Sequence, residues 1–332
     1  MASIKEANKE ILNELEATAT RLEKVRGEIG KIIFGQNEVV ELALTAILAG
    51  GHALLVGAPG LAKTKLATTL GRVLGLDEKR VQFTPDLMPA DILGSEVLDE
   101  TDKGLRQFRF VAGPVFCQLM MADEINRASP RTQSALLQAM QEHHVTVAGV
   151  RHDLPRPFHV LATQNPIEQE GTYPLPEAQL DRFMFEIDVP YPSLEAERRM
   201  LFATTGGEDD EAGKVLNGAE LLAAQRLTRL IPVSEQVTDA ILRVVRSARP
   251  GGDASEYVNR NIAWGPSPRA SQALMLGIRA RALLQGRLSP SIDDVAALIG
   301  PVFKHRMALN FSARAEGETI EATIARQKNL LN

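Results

Sequence analysis

One short stretch, Gly57-Ala58-Pro59-Gly60-Leu61-Ala62-Lys63-Thr64, constrains this chain more than any other feature. It follows the apolar run Ala53-Leu54-Leu55-Val56 and opens a helix-period segment that extends to Leu74. A strand, a tight glycine turn and a helix N-terminus in that order aim successive backbone N–H groups at one point. The helix dipole adds positive potential there. Glycines permit torsions and a close backbone approach that side chains hinder. Such a loop suits phosphate oxygens: Lys63 would reach the β- and γ-phosphates, and the Thr64 hydroxyl would ligate Mg2+. Binding contacts are expected from Gly57 through Lys65. The usual pattern has glycine directly before the lysine; Ala62 stands there, keeping the amide free while adding one methyl group.

A second element supports the first. The apolar run Leu119-Met120-Met121-Ala122 ends in Asp123-Glu124. A strand delivering two acids at its carboxyl end would set Asp123 beside the magnesium ion, opposite Thr64. Glu124 could then orient and polarise an attacking water. A strand that merely ends in two solvated acids is the alternative, and the upstream loop argues against it.

The rest of the chain predicts an α/β core followed by helices. Residues 4–26 carry Ile11, Leu15, Leu22 and Val25 at helical spacing, and predict an amphipathic N-terminal helix. Strands are expected at Ala53–Val56, Arg80–Thr84, Val115–Ala122, Phe158–Thr163 and Phe183–Val189. Helices at Gly35–Ala49, Ala62–Leu74 and Ser129–His143 alternate with them, the pattern of a parallel sheet. Residues 86–114 read as an inserted turn and hairpin, and residues 144–158 as a second hairpin around Gly149. The acidic stretch 205–213 reads as a linker, after which helical periodicity dominates at Glu220–Leu230, Ser234–Ser247, Ser267–Leu284 and Ile292–Leu309. The expected organisation is an N-terminal helix (1–26), an α/β nucleotide domain (27–205) and an all-helical second domain (206–332).

Composition narrows the function classes. With 332 residues, 44% of them hydrophobic and 24% charged, the chain can build a sizeable core, which excludes a disordered or fibrous protein. A net charge of −5 without a dense Lys/Arg run argues against nucleic acid or an anionic membrane as the main partner. Cys117, the single cysteine, excludes an intrachain disulfide and a multi-cysteine zinc site. The first residues lack the apolar core of a signal peptide, and no 18 apolar residues run together, so a cytoplasmic protein is expected.

Several segments carry a resemblance. Gly57–Thr64, Asp123-Glu124-Ile125-Asn126-Arg127-Ala128, Thr132–Leu137 and the run from Thr163 through Leu180-Asp181-Arg182-Phe183 resemble the MoxR family of AAA+ ATPases. One departure is Ser129, where relatives commonly carry proline. The resemblance implies an α/β P-loop core with a helical lid, ATP and Mg2+ as ligands, and a homo-oligomeric ring, a hexamer. It implies ATP-driven, chaperone-like remodelling of a client protein, often with a von Willebrand factor A domain partner. Asn165 resembles sensor 1, an amide that meets the attacking water or γ-phosphate; a plain turn before Pro166 is its alternative reading. Arg182 resembles the arginine finger offered to a neighbouring subunit's γ-phosphate, where the alternative is an exposed arginine paired with Asp181 or Glu186. Arg269 resembles sensor 2, acting within its own subunit or across the boundary. Gly35 and Gln36 lie in the segment Ile33-Phe34-Gly35-Gln36 that resembles the adenine-side wall. Residues 86–114 then resemble the insertion of this clade, and 144–158 the hairpin preceding sensor 1.

Other residues suggest packing. His143 and His144 are adjacent and cannot face one metal from a regular helix. Cys117, Met120 and Met121 read as core, and Trp264 as a packing anchor near Arg269.

Overall fold

The computed structural model describes residues 2–100, 106–168, 170–205, 211–252 and 254–331. Helices α1 (Ala2–Ile32) and α2 (Asn37–Leu48) precede the first strand, β1 (Ala53–Val56), which leads into α3 (Lys63–Leu74) and β2 (Glu78–Gln82). A short helix, α4 (Pro89–Leu93), introduces the inserted hairpin β3 (Gly94–Glu100) and β4 (Arg106–Ala112). Next come β5 (Leu119–Asp123), α5 (Pro130–Glu142), the hairpin β6 (His144–Val147) and β7 (Val150–Asp153), and β8 (His159–Gln164). Helix α6 (Glu177–Leu180) precedes β9 (Phe185–Asp188).

The C-terminal part is mostly helical: α7 (Leu194–Thr205), α8 (Gly218–Leu230), α9 (Glu235–Ser247), α10 (Glu256–Asn261), α11 (Pro268–Leu284) and α12 (Ile292–Phe303). Two small helices close it, α13 (Phe311–Ala315) and α14 (Ile320–Lys328). The expected linker at 205–213 falls largely on residues 206–210, which lie outside the described residues, as does the stretch 101–105 of the insertion.

Five strands form one parallel sheet in the order β2-β5-β8-β1-β9. The register sets Val56 beside Gln164 and Asp188, and Ala122 beside Val81 and Ala162, so β5, β8 and β1 all end at the same edge. Side chains alternate between the two faces. Ala53, Leu55, Leu119, Met121 and Leu161 join a core with α1, α2, α3 and the C-terminal helices. Leu54, Met120, Ala122, Val160 and Ala162 join the opposite core with α5 and the base of the insertion. Continuous apolar strands are what a sheet covered on both faces requires.

Local chemistry sets the helix starts. Ser129 caps α5 by accepting from the Thr132 amide (3.4 Å), and Pro130 fills its first turn. Serine at that departure from the family pattern is therefore a functional cap. Asn217 and Glu220 cap α8 reciprocally. On α1, Leu15, Leu22, Val25 and Ile29 are buried against the body, as the periodicity predicts, and the helix runs on to Ile32.

Two expectations are corrected. The run from Val115 predicts a strand, but pairing begins only at Leu119. Residues 115–118 turn instead, with the Gln118 and Leu119 amides both donating to the Asp77 carbonyl. Apolarity marks burial, and a buried turn carries the same signal as a buried strand. Cys117 is buried as expected, in that turn. The helix predicted over Ile292–Leu309 ends at Phe303 and gives way to a 3-10 turn over Lys304–Arg306. A two-residue strand follows, β11 (Ala308–Leu309), pairing with β10 (Ile262–Trp264), so this part is not all-helical. The break turns Arg306 inward onto carbonyls of the core.

Two buried histidines tie the layers together. His52 Nδ1 accepts from the Val160 amide (2.9 Å), which leaves Nε2–H to donate to the Met140 carbonyl (3.3 Å). His159 donates through Nδ1 to the Gly51 carbonyl (2.9 Å) and accepts at Nε2 from the Gln225 amide (2.9 Å) on α8. Burial pushes His52 down to about 3 and His159 down to about 4. An unfolded chain takes up protons at these sites below about pH 6.5, whereas the folded state refuses them, so stability falls as pH drops from 6.5 toward 4. Glu186, raised by burial to about 7, opposes this over part of the range. Urea unfolding of the parent should lose stability between pH 7 and pH 5, and His159→Gln should flatten that dependence by about 2 kcal/mol. An unchanged pH profile in the variant would remove His159 as its source.

Candidate nucleotide site

The loop after β1 sits at the carboxyl edge of the sheet, where the Gly57 amide donates to the Gln164 carbonyl (3.2 Å). A Cβ on Gly57 would come within 2.7 Å of the Val189 carbonyl oxygen, so no larger residue fits there without a shift. Gly60 has φ +82 and Ala62 has φ +57, the left-handed region. Ala62 therefore adds more than a methyl group: it holds the loop's last residue in a conformation that disfavours every residue but glycine by ~1–2 kcal/mol. Lys63 folds back onto its own loop, Nζ donating to the Gly57 carbonyl at 2.5 Å. Burial holds its amine below the ordinary value, while Asp123 and Glu124 pull the other way. Thr64 follows it in the first turn of α3.

Asp123 ends β5 and is buried. Its Oδ1 accepts from the Thr163 hydroxyl (2.6 Å), and its Oδ2 from Arg80 on β2 (2.6 Å). The same Thr163 oxygen accepts from the Glu124 amide (2.8 Å), so one hydroxyl on β8 registers both acids. Glu124 sits at φ +55, an unfavourable backbone state of the kind that clusters at functional sites. Its carboxylate accepts from Gln82 Nε2 (2.8 Å) and from Arg127 (3.2 Å). Asn165, buried just beyond β8, accepts at Oδ1 from the Ile167 amide (3.1 Å). That turn occupies the acceptor end of the amide, so its N–H donors are what it can offer a ligand.

Beside the loop lies a cavity of about 260 Å³, lined by Ile33, Phe34, Gln36, Leu61, Tyr191 and Met200 among others. Lys65 also lines it. Gln36 is buried and donates through Nε2 to the Leu61 carbonyl (3.1 Å), while its Oε1 has no partner. An orphaned buried acceptor in an apolar slot beside a phosphate loop fits a purine ring carrying an exocyclic amine. Gly35 has φ +71, and a Cβ there would meet the Ala196 Cβ at 2.3 Å, so α7 packs directly against it. For a divalent ion, the donor set of a threonine hydroxyl and an aspartate is the hard-oxygen chemistry magnesium prefers.

The structure thus brings together Gly35, Gln36, Gly57 through Lys65, Asp123, Glu124 and Asn165. It does not bring Arg182 or Arg269 to them. Asp181 and Arg182 precede β9, and in a parallel sheet the start of β9 lies at the amino edge, beside Ala53 rather than Val56. Four strand residues separate those edges by ~13 Å. Arg182 donates to Gln141 Oε1 (3.1 Å), not to Asp181 or Glu186. Arg269, in the first turn of α11, lies 3.9 Å from Asp181 Oδ2 and so shares that edge.

Sequence reasoning missed Arg80, Gln82, Arg127 and Thr163 as companions of the two acids. Thr163 lay within the long recognised run, but only pairing of β5 with β8 reveals its hydroxyl between Asp123 and Glu124. Arg80 and Gln82 become visible once β2 is known to neighbour β5. Among the described residues, no group of three or more His, Cys, Asp or Glu could hold a metal ion.

A parallel sheet with a phosphate loop after its first strand, two acids at the end of β5 one strand further on across β8, and a helical C-terminal part defines an AAA+ ATPase. Residues 52–185 match the ATPase family associated with various cellular activities (AAA), and residues 254–327 match the AAA lid domain. The chain is 42% identical to Chaperone MoxR1 of Mycobacterium tuberculosis, over 94% of this chain and 82% of that one. It is 32% identical to Protein MoxR of Paracoccus denitrificans, over 87% of this chain and 89% of that one. A crystal structure from Cytophaga hutchinsonii, described as a candidate ATPase, superposes with a TM-score of 0.90 at 35% identity, covering 100% of this chain and 99% of that one. The chain belongs to the MoxR family of AAA+ ATPases. Among the described residues no helix is long and apolar enough to cross a membrane.

Relief of the strained turn is measurable. Ala62→Gly should keep or raise thermal stability by up to ~1 kcal/mol, where the same change inside a helix costs about that much. A clear loss of stability would mean that the left-handed turn is not the conformation in solution.

Proposed function

We propose that the chain hydrolyses ATP with Mg2+ in a homo-oligomeric ring of six subunits, and spends that turnover on remodelling or maturing a client protein complex. A von Willebrand factor A domain protein is the proposed partner, and the cytoplasm the proposed location. One observation carries the multi-subunit reading: Arg182 and the phosphate loop lie at opposite edges of the same parallel sheet. A guanidinium at the amino edge cannot reach its own nucleotide, but a head-to-tail neighbour could receive it. The chaperone role draws on the relative named Chaperone MoxR1.

In this reading the loop amides and Lys63 hold the phosphate oxygens, and Gln36 and its apolar neighbours hold the base. Thr64 and Asp123 would hold the magnesium ion, which when bound neutralises charge on the β- and γ-oxygens. Thr163 keeps Asp123 oriented and, through the Glu124 amide, fixes the backbone that carries Glu124. Glu124 exchanges Gln82 and Arg127 for a water, which it orients toward the γ-phosphate. Asn165 donates to that water or to a γ-oxygen. Arg182 of a neighbouring copy stabilises the equatorial charge, an effect of ~10³–10⁵ in rate. Arg269 shares its edge and therefore serves the same neighbouring site. The α/β core, with α8 held to it through Gln225, and the helical part after Leu230 are the bodies whose relative angle changes with turnover.

A scaffold that binds ATP without turning it over is the rival reading, and Glu124, Asn165 and Arg182 argue against it, since binding alone needs none of them. Glu124→Gln should retain nucleotide affinity and assembly while turnover falls at least ~100-fold; phosphate release at the parent rate would remove Glu124 from this role. In mixed rings, Arg182→Ala subunits should silence the site of the adjacent unmutated copy. A strictly monomeric preparation hydrolysing at full rate would overturn the shared site. Addition of DNA should leave the rate unchanged.

A further inference from the structure

Arg306 is almost entirely buried, 3% exposed, and all five of its N–H donors are engaged. Nε donates to Asp181 Oδ1 (2.6 Å). One terminal nitrogen donates to the carbonyls of Met184 (3.0 Å) and Val302 (2.8 Å), the other to those of Asp181 (3.2 Å) and Phe183 (2.6 Å). His305 adds a second bond to the Phe183 carbonyl (3.0 Å). The remaining Asp181 oxygen accepts from the Ser267 hydroxyl (3.1 Å) and lies 3.9 Å from Arg269.

Four of these five Arg306 bonds fall on residues 181, 183 and 184, the immediate flanks of Arg182. Two separate pieces of the C-terminal part meet there: the start of α11, through Ser267 and Arg269, and the turn after α12, through His305 and Arg306. Among the described residues the Arg182 side chain is spared this network and reaches toward Gln141 on α5. Its backbone is thus fixed by the lid, while its guanidinium is held by one neutral bond that a stronger acceptor can displace.

We infer that Asp181 and Arg306 are positioning residues, a clasp through which the orientation of the lid sets the direction in which Arg182 is presented to an adjacent copy. The inference rests on the reading of Arg182 as a donor across a subunit boundary. It assigns no contact with nucleotide to either residue. Phe183 is buried and the Met184 amide donates to the His52 carbonyl (2.8 Å). A lid rotation that displaces Arg306 therefore bears on Asp181 and the backbone of Arg182, the part of the stretch outside the core, because breaking a buried guanidinium from its carboxylate is costly. Nucleotide state in one subunit thereby alters the guanidinium offered to the next.

The test separates positioning from simple support of the fold. Asp181→Asn keeps the shape and removes the charge, and Arg306→Lys keeps the charge and removes the fork. Turnover, nucleotide affinity and melting temperature are measured for each, alone and in an Arg182→Ala background. Asp181→Asn should lower kcat at least ~10-fold with affinity changed less than ~2-fold, and should cause no further fall once Arg182 is gone, the signature of acting through it. Equal fold-losses in both backgrounds, or a kcat loss that follows melting temperature and affinity, would overturn the clasp; so would parent-like turnover in Asp181→Asn. If Arg306→Lys does not fold, Asp181→Asn decides alone. Parent-like turnover in Arg182→Ala by itself would instead overturn the cross-subunit reading, and the clasp with it.

Discussion

Strand polarity is the constraint on which the arrangement depends. Five parallel strands give the sheet two chemically different edges, and every group that a copy would offer to the phosphates of its own nucleotide lies at the carboxyl one. The phosphate loop follows β1, Asp123 and Glu124 follow from β5, and Asn165 lies just beyond β8. The chain must then cross to the amino edge before β9 can run parallel to β1, and Arg182 falls at the end of that crossing. Separation of the loop from the guanidinium follows from connectivity, and the proposed cooperation between copies rests on that separation.

Within the carboxyl edge, a single hydroxyl does much of the ordering. Thr163 donates to Asp123 and accepts from the Glu124 amide, so both acids take their register from the neighbouring strand. Glu124 and Ala62 are each held at positive φ without being glycine, one directly after β5 and the other directly before α3. Such backbone states persist only where the surroundings over-determine them. Here the surroundings are the sheet and the helix N-terminus, which together leave the chain no alternative path.

Much of this was legible in the sequence. The loop and the two acids announced themselves by residue type and order, and β1 matched its apolar run residue for residue. Strand starts were less legible, because the run from Val115 is equally compatible with a buried turn. The break after Phe303 had no sequence signal, since four of the five Arg306 bonds go to residues more than a hundred positions earlier. Arg80, Gln82 and Thr163 were invisible for the same reason: hydrogen bonds across strands are set by sheet order, which residue spacing does not encode. Arg182 could be named by resemblance, but only the register of β9 against β1 revealed which edge it occupies.

The Gln225 side chain has a mechanical corollary. From α8 it donates to His159 on β8 and to the Ile47 carbonyl at the end of α2. Although α8 follows the acidic stretch in the chain, these bonds weld it to the sheet. A swinging motion that spared them would have to pivot between Leu230 and Ser234, so the lever arm of this machine would be shorter than the chain after residue 206 suggests.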